Sequence, residues 1–380
     1  MGTMTSRERV LAALRHQEPD RVPLDLGGLT TTIETDAYNE LKNFLGLKGE
    51  TKRFVRDHVE PPEELLERFG IDTRYIRIKP PKNFEVRIDP DNSYVDEWGT
   101  RWKKPPGGLY WDPVAHPLKN STIEDLETYP WPDPDDPGRV EGLREEAKNL
   151  QEKTNFAVVA DQPVLGLFES AWVLLRGPEQ FFTDLYFNQE FVLALMEKLA
   201  DLHTRFYKKY LEKVGQYIDI IWVSDDLGTE TGPLISPEHF RDFIKPYQKR
   251  LWKSIKQNTK AYLCLHTCGN VYRFIPDLIE MGVDILNPVQ VSAKEMDTKR
   301  LKKEFGDRIT FWGGIDTQRI MPFGTPDDVE REVKERIADL APGGGYVLTA
   351  VHNIQPGVKP ENICRMYEAA LKYGNYPLSL

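Results

Sequence analysis

The residues in this chain best suited to chemistry are a histidine and a cysteine two positions apart, His266 and Cys268. Neutral imidazole and thiolate are both good ligands for zinc. On an extended strand the two Cα atoms would lie about 6.6 Å apart on one face, which lets the side chains converge. Gly269 follows directly and favours a turn that would bring them closer. Ordinary buried residues show such a short spacing equally often. A metal site and a purely structural role for the two residues therefore both stay open.

A third ligand for such an ion must come from a distant part of the chain. His352, which follows another apolar run, is the best candidate. Cys264 shares the strand face of His266 but lies deeper. The chain has three cysteines in all, and an odd number in a long chain argues for reduced thiols over a disulfide framework.

Two adjacent acidic residues, Asp225 and Asp226, are the main candidates for proton transfer. Neighbouring residues project in different directions, so one could act as a metal ligand or general base while the other caps a loop or helix. A structural role for both is the commoner outcome. Asp316, Gln290 and Glu169 are weaker candidates of the same kind. The histidines that we interpret as surface or helix residues are His16, His58, His116, His203 and His239.

These candidates follow short apolar runs that we interpret as eight strands separated by helix-like stretches. The strands are expected near residues 21–26, 71–78, 156–161, 218–224, 260–266, 283–287, 308–313 and 345–350. The third and fourth runs are mostly apolar without clean alternation, which is typical of parallel strands covered on both faces. Eight strands alternating with helices predict an α/β fold of the TIM (β/α)8 barrel type, with its active site at the carboxyl ends of the strands.

Capping signals and one unusual segment complete the expected organisation. Ser236-Pro237 and Thr325-Pro326 each combine an N-cap residue with proline at the first helical position. Residues 79–137 are rich in Pro, Asp, Gly and Trp, and contain the turn sequence 89–92 between two short β-like runs. We predict an inserted hairpin and loop after the second strand, either a lid over the barrel mouth or a solvated excursion.

Composition excludes several classes of protein. The chain has 380 residues, 40% of them hydrophobic, which is enough for a large core and predicts a single domain over residues 1–380. The net charge is −10 and the basic residues are scattered, which argues against nucleic-acid binding. No stretch approaches the roughly 20 apolar residues of a membrane span, and the start lacks a signal-peptide core. We therefore expect a cytoplasmic protein without a membrane partner.

Over nearly the whole chain these residues resemble the uroporphyrinogen-decarboxylase-like superfamily, whose fold is a TIM barrel. The segments that carry the resemblance are Ser6-Arg7-Glu8-Arg9-Val10-Leu11-Ala12-Ala13-Leu14, Pro19-Asp20-Arg21-Val22-Pro23, Leu234-Ile235-Ser236-Pro237, Pro246-Tyr247, Trp312-Gly313-Gly314-Ile315-Asp316 and Pro360-Glu361-Asn362-Ile363.

Two comparisons separate the branches of this superfamily. Its decarboxylases carry an arginine in the loop after the first strand, whereas residues 26–29 here are Leu-Gly-Gly-Leu. Its coenzyme M type methyltransferases carry His-x-Cys after the fifth strand, which His266 and Cys268 match. They also carry a cysteine after the last strand, where this chain has His352. The resemblance thus implies a zinc-dependent, corrinoid-linked methyltransferase whose zinc is held by His266, Cys268 and His352.

The activity implied is methyl transfer between a small methylated substrate and the cobalt of a corrinoid. Zinc would act as a Lewis acid on the heteroatom that loses its methyl group. Asp225 or Asp226 would supply a fourth ligand or handle the proton. An imidazole in place of a thiolate makes the ion a harder acid, which favours an oxygen donor such as a methyl ether. No domain remains to carry the corrinoid, so a separate corrinoid protein is the expected partner.

Two other readings stay open at this point. One is a metal-free decarboxylase of a porphyrinogen-like or aromatic acid, with Asp72 and His352 as polar anchors. The other is a non-catalytic barrel that binds a small molecule. Metal content separates the first from methyl transfer, and the effect of Cys268→Ala on ligand binding separates the second.

Overall fold

The computed structural model describes residues 3–379, and its strands alternate with helices along most of the chain. The strands are β1 Arg53–Val55, β2 His58–Val59, β3 Thr73–Ile76, β4 Ser93–Val95, β5 Arg101–Lys103, β6 Asp112–Ala115, β7 Ala157–Ala160, β8 Ile220–Ser224, β9 Tyr262–His266, β10 Ile285–Asn287, β11 Thr310–Ile315 and β12 Tyr346–Ala350. Each of β3 and β7–β12 coincides with a predicted strand.

These seven strands form one parallel sheet in the order β12-β11-β10-β9-β8-β7-β3. Residues 22–26 lie between its two edges. The backbone N–H of Asp25 donates to the carbonyl of Leu348 on β12 at 3.1 Å, and that of Asp72, next to β3, donates to the carbonyl of Leu24 at 2.9 Å. The segment therefore takes the eighth strand position and closes the sheet, which confirms the predicted TIM barrel.

The first predicted strand, residues 21–26, is less regular than expected. It makes a parallel bridge at Leu24 with Leu348 and no extended ladder. Pro23 has no backbone N–H to donate. The N–H of Leu24 donates at 2.9 Å to a carboxylate oxygen of Asp72 instead of a neighbouring carbonyl. Side-chain hydrogen bonding therefore replaces part of the ladder here.

Helices connect the strands and pack against the sheet. They are α1 Ser6–Leu14, α2 Thr35–Leu45, α3 Glu63–Arg68, α4 Asp125–Thr128, α5 Leu143–Lys153, α6 Leu167–Glu169, α7 Pro178–Phe187, α8 Gln189–Val214, α9 Pro237–His239, α10 Lys245–Asn258, α11 Ile275–Glu280, α12 Thr298–Phe305, α13 Ile320–Phe323, α14 Pro326–Leu340 and α15 Pro360–Tyr373. Both predicted caps are confirmed, since Ser236 and Thr325 accept backbone N–H groups in the following turn. Within residues 3–379 no helix combines the length and apolarity of a membrane span.

Side chains fill the barrel interior. Trp222 on β8 and Trp312 on β11 meet edge to face, with ring centroids 5.7 Å apart. Helix α1 adds Val10 and Leu14 to the same buried cluster. A backbone N–H of α1 also donates to the carbonyl of Asn155, just before β7 begins, at 2.7 Å. Helix α1 therefore covers the amino-terminal end of the barrel, and the carboxyl end is left for a functional site.

The predicted insertion contains a three-stranded antiparallel sheet in the order β4-β5-β6. The turn at residues 89–92 is present, with the N–H of Asn92 donating to the carbonyl of Asp89 at 3.0 Å. The hairpin does not form around this turn, as predicted, but between the next two strands along the chain, β4 and β5. Residues 85–90 are exposed and bury nothing that would offset the cost of ordering a strand. Tyr110, between β5 and β6, lines a cavity at the barrel mouth.

Candidate active site

Three predicted ligands lie together at the carboxyl end of the barrel. His266 is the last residue of β9, Cys268 lies in the turn after it, and His352 follows β12. One ligand atom from each residue lies within 4.8 Å of the other two. The Nε2 atom of His266 is 3.4 Å from the Sγ atom of Cys268, and the two imidazole rings have centroids 5.4 Å apart. Closure of the barrel brings His352 to a pair that is close in sequence.

The donor set and its spacing fit a tetrahedral zinc ion. Bond lengths of about 2.0 Å to nitrogen and about 2.3 Å to sulfur place such ligand atoms roughly 3.6 Å apart. The 3.4 Å between His266 Nε2 and Cys268 Sγ is close to that value. All ligand atoms lie within 4.8 Å of one another, so binding to one ion requires a side-chain shift of at most about 1.5 Å.

Asn287, at the end of β10, orients the imidazole of His266. Its Oδ1 atom lies 2.6 Å from His266 Nδ1, and its amide nitrogen donates to the carbonyl of Trp312 at 3.3 Å. The second contact fixes which end of the amide faces the histidine. His266 therefore donates through Nδ1 and keeps the Nε2 lone pair towards Cys268, the arrangement found around metal-bound histidines.

Burial controls the protonation of all three groups. It lowers the pKa of His266 to about 4 and the pKa of His352 to about 3. Both imidazoles are therefore neutral at pH 7 and able to bind a cation. Burial also raises the pKa of the Cys268 thiol well above its usual value, and the negative charges of Asp226 and Glu169 raise it further. The free thiol keeps its proton, and binding of a divalent cation would release it.

The adjacent carboxylates Asp225 and Asp226 have different partners. Asp225 accepts two backbone N–H groups at the start of α6, at 2.8 and 3.1 Å, and the side-chain amide of Gln248 at 2.7 Å. Asp226 accepts the backbone N–H of Cys268 at 2.7 Å. Burial raises the pKa of Asp225 to about 7 and also raises the pKa of Asp226. Asp225 thus supports a helix, while Asp226 borders the cluster.

A cavity of about 410 Å³ opens beside Cys268 and His352. Tyr110 from the insertion and Glu230 from the loop after β8 are among its lining residues. Gln290 links the loop of Glu230 to the turn that contains Cys268. Its Oε1 atom accepts the backbone N–H of the residue after Cys268 at 2.7 Å, and its Nε2 atom donates to Glu230 at 2.6 Å. The volume suits a small organic molecule held against the cluster.

Two further candidates from the sequence have structural partners. Asp316 caps its own loop, with its Oδ1 atom accepting the backbone N–H of Gln318 at 2.7 Å. Glu169 accepts the hydroxyl of Ser224 at 3.2 Å. Burial and the nearby Asp226 raise the pKa of Glu169 well above its usual value. Glu169 therefore lies near the site, and its raised pKa favours the protonated carboxyl group.

Asp72 lies at the opposite end of the barrel from the cluster. It directly precedes β3, is fully buried, and pairs with Arg9 at 2.7 Å and Arg21 at 2.8 Å. The prediction that Asp72 anchors a ligand beside His352 is therefore wrong. Its position among two guanidinium groups next to the amino-terminal end of β3 is typical of a residue that stabilises the fold.

Two of the histidines interpreted as surface or helix residues are more buried than a surface position implies. His58 on β2 is partly buried, with its Nε2 atom 3.1 Å from a carboxylate oxygen of Glu34 and 3.2 Å from the amide nitrogen of Asn353. His203 lies on helix α8, as allowed, but is 1% exposed. No local sequence pattern identifies His58, because only folding of the whole chain brings the short β1–β2 hairpin to the barrel mouth.

The fold and the cluster together define a TIM barrel that carries a cysteine–histidine constellation at its catalytic face. The sequence profile described as "Uroporphyrinogen decarboxylase (URO-D)" matches residues 110–373, which is more than half of the chain. The chain therefore belongs to the uroporphyrinogen decarboxylase family.

The proteins that are similar in sequence to this chain include two kinds of enzyme. The "Methylcobamide:CoM methyltransferase MtbA" of Methanosarcina mazei is 25% identical over 378 residues, covering 98% of this chain and 99% of that protein. The "Uroporphyrinogen decarboxylase" of Pseudoalteromonas atlantica is 23% identical and covers 70% of this chain and 74% of its own length. A solved structure described as "methyltransferase from Methanosarcina mazei" aligns over 97% of this chain and 99% of that one, with a TM-score of 0.62 and 20% identity, and supports the fold.

Proposed function

We propose that this protein is a zinc-dependent methyltransferase that moves a methyl group between a small methylated substrate and a corrinoid carried by a partner protein. The proposal rests on the cluster of His266, Cys268 and His352 beside an open cavity at the barrel mouth. Similarity over nearly the full length to a protein named as a methylcobamide:CoM methyltransferase supports the reaction type.

The three residues of the cluster would hold the zinc ion, which supplies Lewis-acid stabilisation of the heteroatom that exchanges the methyl group. The rest of the site prepares these ligands. Asn287 orients His266 through a 2.6 Å contact, and Asp226 holds the backbone N–H of Cys268 at 2.7 Å. Both contacts reduce the rearrangement that cation binding requires.

Asp226 is the group that we propose moves protons. It lies next to Cys268, and burial raises its pKa, which moves a carboxyl group towards the range where it can both accept and return a proton. Asp225 has its oxygens taken by backbone N–H groups and Gln248. We therefore assign Asp225 a positioning role, at the start of α6.

The cavity volume of about 410 Å³ suits a small donor. A methyl ether remains the proposed donor, because a histidine in place of a second thiolate makes a harder Lewis acid. A corrinoid is much larger than this cavity. The partner would therefore present it at the mouth, which the insertion borders through Tyr110.

The decarboxylase alternative loses one of its two proposed anchors. Asp72 lies at the wrong end of the barrel. Arg77, the basic residue beside the loop after the first strand, is already engaged, with its Nε atom 3.0 Å from Asp161 and a hydrogen bond to the carbonyl of Gly27. A substrate carboxylate would have to displace one of these partners.

Elemental analysis with X-ray absorption tests the metal assignment. We expect one zinc per chain in the wild type and its loss in His266→Ala, Cys268→Ala and His352→Ala. Cys364→Ala is the matched control, because this thiol lies on α15 and is not part of the cluster. Loss in the first two variants but not the third would remove His352 from the site.

A methyl-transfer assay tests the reaction itself. Wild-type protein should transfer the methyl group of a methyl ether to free cob(I)alamin and release the corresponding alcohol, followed by the change in corrinoid absorbance, and Cys268→Ala should not. Carefully prepared wild type without stoichiometric zinc would instead favour the decarboxylase. Intact ligand binding in Cys268→Ala, with no turnover by either protein, would favour a binding barrel.

A further inference from the structure

The cavity beside the cluster is lined by one acidic side chain and by no side chain of residues 3–379 that carries a permanent positive charge. Among the described residues that line it, Glu230 is the one carboxylate, and there is no lysine or arginine. The cavity therefore presents negative charge to whatever enters it.

The side chain of Glu230 is held in a defined position. Its Oε1 atom accepts the side-chain amides of Gln290 at 2.6 Å and Gln318 at 2.7 Å. Gln290 is itself tied through Oε1 to the backbone N–H of Gly269, next to Cys268. Within residues 3–379 no hydrogen bond uses the Oε2 atom of Glu230. That oxygen is free to accept a hydrogen bond from a ligand.

Basic residues near the mouth are already paired or do not line the cavity. Arg77 pairs with Asp161 at 3.0 Å, and His58 lies 3.1 Å from the carboxylate of Glu34. Lys294 contacts the loop of Glu230 through its backbone N–H, at 2.9 Å, and is not among the lining residues. An anionic ligand would therefore enter without a positive partner from the described part of the chain.

We propose that Glu230 determines the charge of the methyl donor: its Oε2 atom receives an ammonium or hydroxyl group of the donor, and the cavity rejects anionic donors. This inference rests on the proposed function, because it assumes that the cavity holds the donor. A divalent cation and the Cys268 thiolate would together carry one positive charge. The carboxylate of Glu230 alone balances that charge, so a bound ion leaves the cavity without a net positive charge.

Three compounds of nearly equal shape and different charge test the inference. They are choline, the neutral 3,3-dimethyl-1-butanol and the anionic 3,3-dimethylbutanoate, each titrated calorimetrically into the full-length zinc-loaded protein without a corrinoid. We expect choline to bind about fivefold more tightly than the neutral alcohol, as for a partly exposed ion pair. The anion should bind most weakly.

Glu230→Gln should remove the advantage of choline and leave the affinity for the neutral alcohol within about twofold, because the amide keeps the shape and loses the charge. Glu212→Gln is the matched control, since Glu212 is exposed near the end of α8 that leads to the amino-terminal side of the barrel. It should retain the wild-type order.

Several outcomes would overturn the inference: anion binding as tight as choline binding, an unchanged choline preference in Glu230→Gln, or no binding of any of the three compounds. The titration needs no turnover, so the two proposals fail separately. A charge preference without methyl transfer would overturn only the proposed reaction. Methyl transfer without the preference would overturn only the role of Glu230.

Discussion

Asn287→Ala tests whether the cluster is a metal site, because it removes a support and leaves all three proposed ligands in place. The Oδ1 atom of Asn287 lies 2.6 Å from His266 Nδ1, and Asn287 is fully buried. Loss of such a support weakens metal binding by about 10- to 100-fold, which corresponds to about 1.4–2.7 kcal/mol. We expect the zinc Kd of Asn287→Ala to rise by a factor in that range.

Competition with a chromophoric chelator measures this change directly. Asn287→Asp should restore tight binding, because a carboxylate keeps the acceptor that His266 needs. Asn362→Ala is the control, since this buried amide donates to two carbonyls at 2.8 and 2.9 Å near α13 and not to the cluster. It should lose stability and keep its zinc affinity. Unchanged affinity in Asn287→Ala, or an equal loss in Asn362→Ala, would refute the reasoning.

Three further predictions follow from individual buried groups. Asp72→Asn should lower the free energy of unfolding by about 3 kcal/mol, because it leaves buried guanidinium groups without their anion, and zinc content should stay unchanged; a denaturant titration measures this. Burial lowers the pKa of His203 to about 3. The unfolded chain therefore binds more protons as the pH falls below about 6.5, and stability is lost on acidification. His203→Phe should recover about 2 kcal/mol of the loss between pH 7.5 and pH 5, measured by urea unfolding at both pH values, and an equal acid sensitivity in both proteins would contradict it. Asp226→Asn should speed alkylation of the metal-free Cys268 thiol at pH 8 several-fold, because removal of the negative charge lowers the pKa of that thiol. Peptide mass spectrometry with Cys364 as internal standard measures the rate.

The barrel was predictable because its strands are short apolar runs that end in polar residues. The run that ends at His266 and the run before His352 both show this pattern, so the eight-strand count places the two histidines at one end of the barrel. The irregular first strand could not be foreseen in detail. Its hydrogen bonding depends on the carboxylate of Asp72, which lies 48 residues further along the chain.

The supporting residues of the site were not predictable from local patterns. Asp225 and Asp226 are equivalent in sequence, and only the packing of α6 against the end of β8 decides which one faces Cys268. Glu230 lies in a loop without a motif, and two glutamines from other strand ends hold it. Local sequence reports residue type and spacing, whereas these roles depend on contacts across the barrel mouth.

Two buried carboxylates at opposite ends of the barrel, those of Asp72 and Asp226, have different partners. At the amino-terminal end Asp72 is paired with two arginines, and its charge is balanced within the fold. At the carboxyl end the carboxylate of Asp226 has the backbone N–H of Cys268 as its hydrogen-bond partner instead of a guanidinium group. Burial of a charge without a partner is costly, and here a thiol and two neutral imidazoles lie beside it. A bound cation would supply the missing partner, so the same imbalance that costs stability in the free protein favours occupation of the cluster.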